Sequence, residues 1–164
     1  MAETVCDAGP LIHLDELGSL DLMEGFAPLL IPETVWREAT RHRPCLSLET
    51  VPGAVVVPDP QSYDPALLAL FRSFDLDAGE RTALGLIAER RAALLLCDDS
   101  AARLAAETLG WTVRGTIGVI VRAIRRGTRT VPQVQALLSA LPERSSLHLS
   151  PALLQRVIAQ LPPA

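Results

Sequence analysis

At 164 residues the chain is long enough to close one hydrophobic core, and its composition, 49% hydrophobic with a net charge of −4, is that of a folded domain. All 15 basic residues are arginine, and the lack of lysine excludes P-loop nucleotide binding, Schiff-base chemistry and a receiver domain, each of which needs one. No run approaches the roughly 18 apolar residues of a membrane helix and no basic-then-apolar leader opens the chain, so the expected location is cytoplasmic, with no membrane contact.

Residues 3–8 read as a short buried strand closed by Gly9-Pro10, with Pro10 suited to a first helical turn. Two short helices, over about 10–17 and 19–26, are expected next. The apolar run 28–31 then predicts a second strand, and Pro32 opens a helix through His42. The β-branched run 54–57 predicts a third strand, and the Pro/Asp-rich stretch 58–65 a loop. Helices follow near 65–74 and 78–91. The run 93–97 is apolar without alternation, the pattern of a parallel strand covered on both faces. A helix to about Leu109, a short strand at 111–114 and a helix from Thr116 to about Arg126 complete the alternation. Strands interleaved with helices predict a three-layer α/β/α sandwich around a parallel sheet.

The chain then changes character. Residues 131–141 and 151–161 predict helices, the second with Leu153, Leu154, Val157, Ile158 and Leu161 on one stripe. The expected organisation is a domain over 1–130 and a helical extension over 131–164, packed on the same domain or on a partner. The apolar composition points to a homodimer. Cys6, Cys45 and Cys97 lack any CxxC spacing and read as reduced residues, with neither a disulfide framework nor a zinc site.

Candidate chemistry lies in the acids. In an open parallel sheet, ligands sit at the carboxyl ends of the strands, and Asp7 and Asp98 end the first strand and the 93–97 strand. Glu38 lies on the helix after the second strand, and Glu80 in the first turn of its helix. Two like charges about 4 Å apart repel by roughly 4 kcal/mol at an effective dielectric of 20, so four such acids in one pocket call for a cation. An all-carboxylate set selects a hard ion, Mg²⁺ or Mn²⁺.

Each acid also has a plainer explanation. Asp77-Ala-Gly-Glu80 has capping-box spacing, Asp98 and Asp99 are candidate N-caps, Asp7 can bond the following turn, and Glu38 can be a solvated flank. From Arg103 to Arg129 six arginines face the single acid Glu107, either as a local phosphate-binding face or as an ordinary solvated one.

The segments Val5-Cys-Asp-Ala-Gly-Pro-Leu-Ile12, Ile31-Pro-Glu-Thr-Val-Trp-Arg-Glu38, Ala78-Gly-Glu-Arg-Thr-Ala-Leu84 and Leu95-Leu-Cys-Asp-Asp-Ser100 resemble, in order, the four acidic motifs of PIN domains. The likeness extends to Gly115-Thr-Ile-Gly-Val-Ile120 and is nearest to the branch related to VapC-type toxins. The resemblance implies a metal-dependent ribonuclease in which Mg²⁺ or Mn²⁺ activates a water for attack on a phosphodiester. It assigns Asp7 to the principal metal, Glu38 and Glu80 to orienting the ion and its waters, and Asp98 to completing the set. The doubled acid leaves Asp99 as an alternative to Asp98. Thr116 presents a hydroxyl and backbone N–H to a phosphate, unless it is a plain N-cap, and Arg81 and Arg103 are further substrate-binding candidates. An RNA substrate and an antitoxin protein whose arginine covers the cleft are the implied partners.

Two departures stand out. Many PIN domains carry Ser or Thr where this chain has Gly9, and the helices of 131–161 exceed the minimal toxin length. A haloacid-dehalogenase-type phosphatase needs an Asp at position 9, so it is excluded. A non-cutting PIN scaffold that binds RNA or a protein is the rival reading, although a scaffold has no need of mutually repelling acids.

Overall fold

The computed structural model describes residues 2–26 and 28–163. Among them, five strands form one all-parallel sheet: β1 (Thr4–Cys6), β2 (Leu29–Pro32), β3 (Ala54–Val57), β4 (Leu94–Leu96) and β5 (Val113–Arg114), in the order β3-β2-β1-β4-β5. Register is set by Thr4 opposite both Leu29 and Leu94, with Leu95 opposite Val113. The central strands are buried on both faces, Val5, Leu29, Ile31 and Leu96 having no exposure. The edge strand β3 is not, and leaves Val55 in solvent.

Eight α-helices among the described residues flank the sheet: α1 (Ala8–Glu16), α2 (Glu33–His42), α3 (Pro65–Ser73), α4 (Ala78–Arg90), α5 (Ser100–Thr108), α6 (Thr116–Arg125), α7 (Val131–Arg144) and α8 (Pro151–Ala159). The architecture is the predicted α/β/α sandwich. The helix α4 is buried nearly all round from Gly79 to Ile87 and packs against β1, β2 and β4, while α1 packs against α2 and α6. No helix among the described residues is long and apolar enough to cross a membrane.

Three local departures from the sequence pattern have physical causes. The helix expected over 19–26 is only a 3₁₀ turn at Leu20–Met23. It stops at Gly25, whose φ of +83° continues no helix, and a Cβ there would lie 2.7 Å from Arg126 Cζ. Helix α7 runs past Pro142 to Arg144, because Pro142 removes one backbone donor but leaves the fully buried stripe of Val134, Leu138 and Leu141 intact. In α8 the stripe is Leu154, Val157 and Ile158, packed on the core together with Leu161 just beyond the helix, whereas Leu153 is 41% exposed.

Candidate functional site

The chain leaves β1 towards β2 and β3 on one side and returns through β4 and β5 on the other, so the strand order reverses between β1 and β4. The loops leaving adjacent strands part there and open a crevice at their carboxyl ends. Asp7 directly follows β1, and its N–H donates to Leu96 O (2.9 Å), which fixes it beside the end of β4. Asp98 and Asp99 follow β4. From the neighbouring helices, α2 brings Glu38 and the first turn of α4 brings Glu80.

These five acids, joined by Asp77, meet in one cleft of ≈ 590 Å³, with His13, His42, Ser146 and His148 also lining it. No arginine lines it among the described residues. Asp7 is only 6% exposed. Its carboxyl is pushed up to about 7, by burial first and then by Glu38, Glu80 and Asp77, against the backbone N–H of Ala8. Glu80 is likewise pushed up to about 7 by burial and by Asp77, Asp99 and Glu38. Glu38 is raised by burial and by Asp77, with His42 and Arg41 partly offsetting them. The acids therefore share a field without sharing a cage: among the described residues, no group of three His, Cys, Asp or Glu side chains stands ready to hold a metal ion.

The capping box read from the sequence exists. Asp77 N–H donates to Glu80 Oε2 and Glu80 N–H to Asp77 Oδ1, both at 2.8 Å. Capping and cleft duty coincide, since the cap occupies Oε2 and so holds the carboxylate at the mouth of the crevice. Gly79 has its own reason: a Cβ there would lie 2.6 Å from Glu38 Oε2, so the glycine lets that carboxylate rest on the start of α4.

Asp98 and Asp99 divide their duties. Thr116 N–H donates to Asp98 Oδ1 (2.7 Å), the Thr116 hydroxyl to Oδ2 (2.5 Å), and His13 Nδ1 pairs with Oδ2 (2.7 Å). Asp98 thus ties the last turn of α1 to the start of α6. Gly9 and Gly115 make room for it, since a Cβ at Gly9 would sit 3.3 Å from Asp98 Cβ and one at Gly115 2.7 Å from Asp98 Oδ1. A hydroxyl-bearing side chain at position 9 would crowd Asp98. Asp99 caps α5 by accepting from Ala102 N–H (2.9 Å) through Oδ1 and is the acid of the pair that raises Glu80.

The remaining candidates scatter. Thr116 is fully buried, and both of its polar groups go to Asp98, which leaves neither facing a phosphate. Arg81 is exposed, donates to Asp77 O (3.2 Å) and does not line the cleft. Arg103 lines an adjoining cavity beside Gly115. Several cleft residues were not among the sequence candidates, His13 and Asp77 first among them. His13 meets Asp98 across 85 residues with no motif to announce it, whereas the capping-box spacing had already marked Asp77.

None of the curated proteins matches the chain. A sequence model described as a PIN domain matches residues 3–162, so nearly the whole chain, acidic cleft included, falls within it. With that span matched and the all-parallel sheet in place, the chain belongs to the PIN domain family.

Proposed function

We propose that the chain is a Mg²⁺- or Mn²⁺-dependent ribonuclease whose cleft at the β1/β4 switch point holds the scissile phosphate. PIN domains are generally nucleases. The observation that carries the reading here is that Asp7 and Glu80 are both pushed up to about 7 in a cleft lined by no arginine. Such acids lower their mutual repulsion by binding a proton or a cation, and an all-oxygen set favours a hard cation.

Asp7 and Glu80 would hold the ion, with Glu38 and Asp99 orienting its waters. Mg²⁺ usually keeps several waters and takes one or two carboxylates plus substrate phosphate. When bound, the ion supplies an activated water for in-line attack and charge to stabilise the leaving oxygen. The chain's own part is placement. Asp7 sits on the driest wall, the Asp77–Glu80 cap fixes Glu80, and Asp98 with His13 and Thr116 locks α1 to the start of α6. As a finer reading, the chain serves as the toxin of a toxin–antitoxin pair, and an antitoxin arginine supplies the positive charge that the cleft lacks.

Cleavage of a mixed RNA panel with Mg²⁺ or Mn²⁺ tests the proposal. Asp7→Asn is expected to lower the rate at least about a hundredfold. Equal rates in the two proteins would remove Asp7 from the mechanism.

A further inference from the structure

A second cavity of ≈ 510 Å³ adjoins the acidic cleft, and the two share Asp98, Ser100, Leu147 and His148. Their common wall is the connector between α7 and α8, residues 145–150, and a single oxygen fixes it. Ser145 Oγ (3.0 Å), Ser146 N (2.7 Å) and Ser146 Oγ (3.1 Å) all donate to Glu16 Oε2 at the end of α1. Ser145 Oγ also accepts from Leu147 N–H (3.2 Å), and His148 Nδ1 folds back to Ser146 O (3.1 Å). Burial pushes the Glu16 carboxyl up, but the Ser146 and Ser145 donors outweigh it and hold the group below its ordinary value.

The second cavity has apolar faces and polar ends. Leu104 of α5 and Leu153 of α8 are 55% and 41% exposed and line it together with Leu147 and Leu149, which are half-buried against the core, so two of its four leucines stand in solvent. Arg103 and Glu107 add a donor and an acceptor, and Arg103 makes no ion pair among the described residues. Apolar walls with a few polar groups of both kinds suit a flat ring with hydrogen-bonding edges. The shared residues place such a ring next to whatever occupies the acidic cleft.

We infer that this cavity is a subsite for an unpaired nucleobase next to the phosphate in the acidic cleft, and that Glu16 positions its wall through Ser145 and Ser146. The inference rests on the proposed nuclease reading only in that a strand enters the cleft. Single-stranded recognition stacks base faces on aromatic, imidazole or guanidinium planes, and this cavity offers those of His148 and Arg103.

The test is binding by the Asp7→Asn protein, followed by fluorescence anisotropy, to a labelled single-stranded RNA and to versions with one abasic site at successive positions. One position is expected to weaken binding about tenfold when its base is removed. Leu104→Ala and Leu153→Ala, both at exposed positions, should abolish that contrast while thermal unfolding stays unchanged. In the wild-type chain, Glu16→Ala should raise KM with kcat held within about twofold, and Glu16→Gln should restore most of the loss. A flat abasic profile, or one that survives both leucine changes, overturns the subsite and leaves the groove to a peptide partner. A wild-type chain that cuts nothing yet keeps the position-specific profile would refute the nuclease reading and leave the subsite standing.

Discussion

The two walls of the cleft put the same kind of side chain to opposite uses. On the β1/α4 wall, Asp7 and Glu80 are buried among other acids and pushed up to about 7. On the β4/α6 wall, Asp98 accepts from a backbone N–H, a hydroxyl and an imidazole. The first wall carries negative charge that wants a ligand; the second has already satisfied its charge and uses it to join two helices. Position at a strand end makes a carboxylate available, but its hydrogen-bond partners decide whether it is chemistry or scaffold.

The doubled acid offers the sharpest way to break this contrast. Asn caps a helix about as well as Asp, so Asp99→Asn should leave stability within about 0.5 kcal/mol while lowering nuclease activity about a hundredfold. Asp98→Asn should do the reverse in stability, since its amide offers one acceptor oxygen to three donors, and a buried Thr116 group left unpaired costs about 1–3 kcal/mol. Denaturant unfolding and RNA cleavage on the same two proteins decide it, and the opposite pattern would move the cation site to Asp98.

A smaller effect comes from pH. Asp7 and Glu80 protonate near 7 in the folded chain but near their ordinary values of 3.8 and 4.5 when unfolded. Between those limits the folded state binds more protons, so the stability they contribute is fully present below about pH 4 and is lost as pH rises through 7. Cation-free protein should therefore melt several degrees lower at pH 8 than at pH 5.5. Added Mn²⁺ should raise the melting temperature at pH 8 and barely at pH 5.5, because the ligands must first lose their protons. A melting temperature that climbs from pH 5.5 to 8 without cation would contradict the charged-wall description.

The smallest effect belongs to Gly79→Ala. The new methyl displaces the far end of Glu38, which can swing away, and alanine favours the helix by about 0.5–1 kcal/mol. Stability should hold or rise slightly while cleavage falls roughly tenfold, less than the hundredfold that a full ångström of misplacement can cost. An unchanged rate would take Glu38 out of the working wall.

Much of the fold was legible because period and punctuation are local properties. The apolar runs ending at Cys6, Ile31, Val57 and Cys97 marked four of the strands, and the acids that follow Cys6 and Cys97 marked the crevice. Where reading failed, the deciding neighbour lay far along the chain. Gly25 ends a turn in which Arg126 occupies the space of a side chain, and Leu153 leaves its stripe to face the connector.

By itself the sequence determined the alternation of strands and helices, the carboxylates at the strand ends and the Asp77–Glu80 cap, since each depends on residues a few positions apart. Only the tertiary structure decided that Asp98 is spent on His13 and Thr116, that Asp99 faces the acids, and that Glu16 holds residues 145–146 against the cleft. A hydrogen bond satisfies whichever partner the fold brings within about 3 Å, and nothing along the chain encodes that meeting until the sheet has closed.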